Sequence, residues 1–197
     1  MYLIFDTETT GLPRNYNAPI SDSNNWPRAV QIAWQLHDEW GTPIEHQDFL
    51  ITPDGFDIPY DAEKVHGIST LLAEKQGVPI AEVFAAFNEA LSKAQYVVGQ
   101  NIGFDINIMG AEFYRYGVES PLDKLPVIDT CTEATANLCK IEGGRGGKYK
   151  FPSLTELAYL LPRLTTLLPM WKLLHAVSSN LYGVVRALKK VLSAENI

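Results

Sequence analysis

The chain has 197 residues, 46% of them hydrophobic, and a formal net charge of −7. That size and apolar content fit one globular α/β domain with a sizeable core. The acidic balance argues against broad electrostatic binding of nucleic acid, but not against a local site where bound cations offset the charge. No apolar run approaches membrane-spanning length, and the N-terminus lacks the basic start and cleavage site of a secretory signal. Cys131 and Cys139 follow no disulfide or zinc-ligand spacing. A reduced, cytoplasmic protein without a membrane partner is the expectation.

In chain order, Tyr2, Leu3, Ile4 and Phe5 run straight into Asp6-Thr7-Glu8-Thr9-Thr10-Gly11-Leu12. A short continuous apolar run predicts a strand buried on both faces. Alternation along that strand sends Asp6 and Glu8 to the same side of its end. Two hard oxygen ligands converging there suit Mg²⁺ or Mn²⁺. Residues from Pro13 to Arg28, rich in Asn, Ser and Pro, predict a long loop. It leaves directly from the acidic strand, so flanking the site and forming a solvated insertion are both open readings.

Val30, Ile32, Trp34 and Leu36 alternate with Gln31, Ala33, Gln35 and His37, which predicts a half-buried strand. Gly41-Thr42-Pro43 is a turn, and Glu45 to Thr52 a partner strand. With the first strand these make an antiparallel meander. Asp61 to Ile68 predicts one short helix ended by Gly67, and Ile80, Val83, Phe84, Phe87 and Leu91 mark one face of another. Tyr96-Val97-Val98-Gly99 is a short buried strand. Asn101 then predicts a cap for a helix from about Gly103 to Tyr116, and Val127-Ile128-Asp129 a fifth strand. The sum is a mixed five-stranded sheet, an antiparallel meander followed by parallel strands, flanked by helices.

Three stretches together carry a family resemblance. Phe5-Asp6-Thr7-Glu8-Thr9-Thr10-Gly11-Leu12 resembles the first signature of the DnaQ-like (DEDD) 3′–5′ exonucleases. Gly99-Gln100-Asn101-Ile102-Gly103-Phe104-Asp105 is similar to the family's H-N-I-x-F-D run, with Gln100 where His is common. Val65-His66-Gly67-Ile68-Ser69 matches its V-H-G-I-[ST] segment, and Pro126-Val127-Ile128-Asp129-Thr130 and Phe151-Pro152-Ser153-Leu154-Thr155-Glu156-Leu157 resemble two more. The resemblance implies a ribonuclease H-like fold and, most closely, the proofreading exonuclease of DNA polymerase III. It implies Asp6, Glu8 and Asp105 as catalytic metal ligands for two Mg²⁺ or Mn²⁺ ions. It places Thr7, Thr9, Leu12, His66, Asn101 and Phe104 around the terminal nucleotide, and Asp129 in an architectural role. The implied substrate is a single-stranded nucleic acid 3′ end, DNA before RNA, with a DNA polymerase as the further partner. Taken alone, Asp105 reads more readily as a carboxylate complementing a helix dipole. The Gly143 to Lys150 loop, basic and glycine-rich, reads either as a phosphate contact or as a solvated linker. Ser153 with Glu156 predicts a helix-opening cap.

The resemblance covers roughly Met1 to Leu161 and then stops. The family next supplies H-x-x-x-x-D, whose His is the general base and whose Asp completes the metal site. No aspartate follows Asp129, and His175 is the one late histidine, with Asn180 at the motif's spacing. Asn180 brings no charge, and the flanking residues do not resemble the motif. Codons can be chosen for Pro162 to Lys172 that, read one frame over, give Glu-Ala-His-Asn-Ala-Thr-Ala-Asp-Val-Glu, which contains the missing pattern. A reading-frame slip near Leu157 to Pro162 is therefore expected, with residues 1–161 as the exonuclease domain and 162–197 as an atypical, out-of-frame tail. Such a polypeptide would be an impaired nuclease. The alternative is a non-catalytic nucleic-acid or polymerase-binding module of the same fold. An aspartyl-phosphate phosphatase also ends a strand with two acids, but wants D-x-D, and Glu8 fits it poorly.

Overall fold

The structure is a computed structural model and describes residues 1–160. The expected tail, with His175 and Asn180, lies outside the described residues. Five strands form one sheet in the order β3-β2-β1-β4-β5. Strands β1 (Tyr2–Thr9), β2 (Ala29–His37) and β3 (Pro43–Leu50) are the antiparallel meander, and β4 (Tyr96–Gly99) and β5 (Val127–Asp129) add in parallel beside β1. The strand with the continuous apolar run is thus the central one, where both faces are covered. The mixed sheet expected from the sequence is the sheet observed.

Its two faces have different neighbours. Leu3 and Phe5 of β1 join Ile32, Trp34 and Leu36 of β2 in the main core, against helices α3 (Ile80–Lys93) and α4 (Gly103–Tyr116). Phe87 meets Phe5 and Trp34 there at ring separations of 5.1 and 5.2 Å. Side chains of this size contribute roughly 1.5–3 kcal/mol each on burial. Ile4 and Val98 face the other way and pack with Tyr2, Ile128 and Leu154. Leu154 opens helix α6 (Leu154–Leu160), and the expected cap is present. The Glu156 N–H donates to Ser153 Oγ at 3.3 Å, and the Ser153 N–H to Glu156 Oε2 at 2.8 Å.

Some expectations need correcting. The helix predicted over 61–68 is α1 (Tyr60–His66), ended as foreseen by Gly67 in a left-handed conformation at φ 81°. A separate helix follows at once, α2 (Thr70–Gln76), with Ser69 accepting from the Leu72 N–H. Asn101 does not cap α4: that position is Ile102, without a side-chain cap bond. Asn101 instead takes a positive φ of 57°, one of the conformations Asn tolerates best after Gly. Strand β2 is more than half buried, since Gln31 and His37 are also inside. A further helix, α5 (Glu133–Cys139), is capped by Thr132. Among the described residues no helix is long and apolar enough to cross a membrane.

Candidate active site

The carboxylates gather at the end of β1. Asp6 and Glu8 alternate with Thr7 and Thr9, and therefore leave the strand on the Ile4 face. Asp105, third residue of α4, arrives from the opposite side of β1 and is buried. One of its oxygens, Oδ1, accepts from the Thr7 N–H at 3.0 Å and from Thr7 Oγ1 at 2.6 Å. Thr7 thus locks Asp105 against the strand, a task that sequence spacing did not foresee for it. The register of β1 on β2 slips immediately beyond Glu8, so Glu8 opposes Gln31 while Thr9 opposes Ala29. Val30 is the extra residue, and the irregularity ends regular pairing just past the acids.

Burial and mutual repulsion dominate the electrostatics. Asp6 is pushed well above the usual carboxylate range, first by burial, then by Asp105 and Glu8. Burial pushes Asp105 up to about 7, against the lowering pull of the Thr7 donors, and Glu8 raises it further. Asp6 and Asp105, both raised, with Glu8 beside them, offer hard oxygens that fit divalent-cation chemistry. Among the described residues, however, no three acidic, His or Cys side chains converge tightly enough to cage an ion. Asp105 Oδ1 is turned to Thr7.

The Asn101 N–H donates to Asp129 Oδ1 at 2.8 Å, and the same oxygen accepts from the Cys131 N–H at 2.7 Å. Asp129 therefore holds the left-handed turn that starts α4, consistent with an architectural role. Gln100 donates through Nε2 to the Pro152 carbonyl at 2.7 Å and accepts from Thr130 Oγ1, which ties the end of β4 to the approach of α6. Sequence reasoning missed that tie, because neither partner carries a local signal. His66 is buried, and its Nδ1 accepts from the Ile68 N–H at 3.0 Å. The proton is then on Nε2, buried beside the Thr9 main chain without a well-formed bond among the described residues, and burial lowers the imidazole below its ordinary value. Thr9 Oγ1 donates to the Gly11 carbonyl at 2.7 Å. Gly11, at φ 150°, turns the chain off the strand and leaves Leu12 73% exposed. Phe104 is half-buried against the main core, with Tyr16 of the 13–28 loop beside it.

That loop has no regular structure but is packed down. Trp26 is buried in the core, and Arg115 Nη2 donates to the Ser23 and Trp26 carbonyls at 2.7 and 2.5 Å. It flanks the site rather than standing off as a solvated insertion. The basic 143–150 loop is less free than its composition implies. Lys148 pairs with Glu133 at 2.9 Å and Lys150 with Glu156 at 2.7 Å, the latter holding Glu156 down to about 2 alongside the Ser153 bonds.

Comparison with known proteins agrees with this arrangement. The RNase_T exonuclease family model matches residues 3–163. The chain is 34% identical over 133 residues to the PolC-type DNA polymerase III of Pediococcus pentosaceus, covering 68% of this chain and 8% of that protein. It is 30% identical over 130 residues to the PolC-type enzyme of Lactococcus lactis subsp. lactis, covering 66% and 7%. The chain thus spans under a tenth of these curated relatives. Among solved structures, E. coli Exonuclease I in complex with a 5cy-dT13 oligonucleotide superposes with a TM-score of 0.64 at 17% identity, over 98% of this chain and 42% of that one. At that identity the likeness speaks for the fold, a ribonuclease H-like sheet. A family match over most of the sequence, on a strand end that gathers the acids of the first two signatures, makes this chain a member of the exonuclease family, of the DnaQ-like 3′–5′ type.

Proposed function

We propose that this chain derives from a metal-dependent 3′–5′ exonuclease that removes nucleotides from single-stranded DNA ends, of the proofreading type, and that the polypeptide as it stands is impaired. The observation that carries the reading is the gathering of Asp6, Glu8 and Asp105 at the end of β1, where burial and repulsion raise Asp6 and Asp105. Two Mg²⁺ or Mn²⁺ ions there would supply charge for the attacking water and for the departing 3′ oxygen. Asp6, Glu8 and Asp105 would hold these ions, Asp6 serving both, Glu8 the first and Asp105 the second. Thr7 holds Asp105 in place and, with Thr9 and exposed Leu12, borders the terminal nucleotide. Asn101 and Phe104 line the α4 side, and His66 supports the segment beside Thr9. Contacts of this kind go mostly to sugar and phosphate, so base preference should be low. The PolC-type relatives support a polymerase as partner.

Residues 1–161 form the exonuclease unit in this reading, and 162–197 the out-of-frame tail. The absence of any aspartate after Asp129 favours a second reading for this exact polypeptide, a binding module that has lost the reaction. The test sets the chain beside a version with the frame restored, on one labelled single strand. The missing general base alone should cost roughly 10²–10⁴-fold. Activity of the restored chain should disappear with chelator and in Asp6→Ala; activity that survives both would remove this site from consideration. Equal rates in the two chains, abolished by His175→Ala, would overturn the frame slip and make His175 the base.

A further inference from the structure

Tyr16 is 55% exposed, yet the loop that carries it is tied down by hydrogen bonds. It occupies a corner of the turn Asn15–Ala18, closed by the Ala18 N–H donating to the Asn15 carbonyl at 3.3 Å. Asn15 is fixed twice to buried Asn25: its N–H donates to Asn25 Oδ1 at 2.8 Å, and Asn25 Nδ2 donates to its carbonyl at 2.9 Å. Farther along, Trp26 Nε1 donates to the Pro19 carbonyl at 3.1 Å, and Arg115 clamps Ser23 and Trp26 onto α4. A ring this exposed gains little from burial, so these bonds position a side chain whose packing alone would not.

What the loop positions it against is Phe104, at 6.5 Å between ring centres and an angle of 44°. Phe104 directly precedes Asp105 in α4, so the ring that Tyr16 leans on belongs to the same helical turn as a candidate-site acid. The exposed aromatic side chain of Tyr16, backed by Phe104, suits the flat π-face of an unpaired nucleobase, which stacks without regard to its identity. A duplex offers no such face, because its bases are already stacked.

Resting on the reading of this strand end as a site for single-stranded 3′ ends, we infer that Tyr16 is a base-stacking residue that grips a nucleotide near that end through its nucleobase. Tyr16 acts on binding rather than on chemistry.

The experiment measures affinity of the full chain for a short 5′-labelled oligothymidylate by fluorescence anisotropy in EDTA, where no cleavage interferes. Tyr16→Ala should weaken binding by roughly 5- to 100-fold, the range for losing one base–aromatic stack, while Tyr16→Phe and Tyr16→Trp retain it. Circular dichroism should be unchanged, since the ring is exposed and its loop anchors remain. An oligonucleotide series with a single abasic site at each position adds the second arm. Wild type should lose affinity most at one position near the 3′ end, and Tyr16→Ala should be insensitive there. If wild type binds and Tyr16→Ala binds equally well, the stacking role is wrong while the exonuclease reading stands. If Tyr16→Ala is weaker but keeps the abasic sensitivity of wild type, the effect is structural and the inference is likewise overturned. If wild type binds no single strand, both fall together.

Discussion

Helix α4 carries two buried carboxylates on nearly the same face, Asp105 and Glu112, and surrounds them in opposite ways. Glu112, fully buried, is compensated: Arg28 Nε lies 2.9 Å from Oε1, Arg115 Nη1 3.0 Å, and the Ala29 N–H donates to the same oxygen at 2.9 Å. Asp105, nearly as buried, meets neutral donors on Thr7 among the described residues, with Asp6 and Glu8 nearby. One acid has its counter-charge built into the fold. The other lies where burial and neighbouring carboxylates raise its pKa, an arrangement that fits a divalent cation. The first pins the 13–28 loop and β2 onto α4; the second belongs to the candidate site.

Exchanging the two acids should separate these roles. In the frame-restored chain, Asp105→Asn should leave DNA ends bound but slow turnover by roughly 10²–10⁴-fold, several kcal/mol of transition-state stabilisation. Titrating Mg²⁺ against rate checks this, and an unchanged rate with unchanged metal dependence would return Asp105 to complementing the helix dipole. Glu112→Ala should act on stability instead. Leaving Arg28 and Arg115 without their buried partner should cost about 3–5 kcal/mol, read as a fall in the urea midpoint. A midpoint within error of wild type would show that the cluster does not hold the loop.

The same contrast predicts a pH dependence. Asp6 and Asp105 have folded-state values raised above the usual carboxylate range, Asp105 to about 7. The folded chain therefore keeps protons that the unfolded chain releases, so metal-free stability should fall as pH rises from about 4 toward 7. Asp105→Asn should flatten that slope, and added Mg²⁺ should restore stability at neutral pH; thermal melts across the range measure both. The smallest effect belongs to the exposed pair Lys148–Glu133, at 2.9 Å with both side chains more than half exposed. Lys148→Ala should cost less than about 1 kcal/mol by urea denaturation, which sets the scale for a charge pair in water against the buried pair at Arg28.

Local pattern was enough where a segment's own residues decide its structure. The apolar run Tyr2–Phe5 marked the central strand, because a continuous hydrophobic stretch needs cover on both faces. The bounds of α4 and the buried face of α3 were legible from helical periodicity, and the end of α1 from a glycine that accepts positive φ. The pairing of Asp6 with Glu8 on one face followed from strand alternation alone. Periodicity failed at α2, whose seven residues are too few to show a repeat beside α1. It also misread β2, where Gln31 is buried because β3 supplies Asp48, whose Oδ1 accepts from Gln31 Nε2 at 2.6 Å.

Tertiary structure alone decided which acid would be neutralised. Glu112 has one local partner, Arg115 at i+3, but the contacts that fix the two roles stand far away along the chain: Thr7 is 98 residues from Asp105, and Arg28 is 84 from Glu112. The same holds for Asn101, whose left-handed turn depends on Asp129 across the sheet, and for the 13–28 loop, which its own polar composition left open to solvent. The sequence determined the central strand, its two acids and the helix that brings the third. Burial beside β1 then gave Asp105 its raised pKa, and distant Arg28, joining Arg115 one turn along α4, gave Glu112 a structural role, because charge and desolvation depend on neighbours that the folded chain assembles.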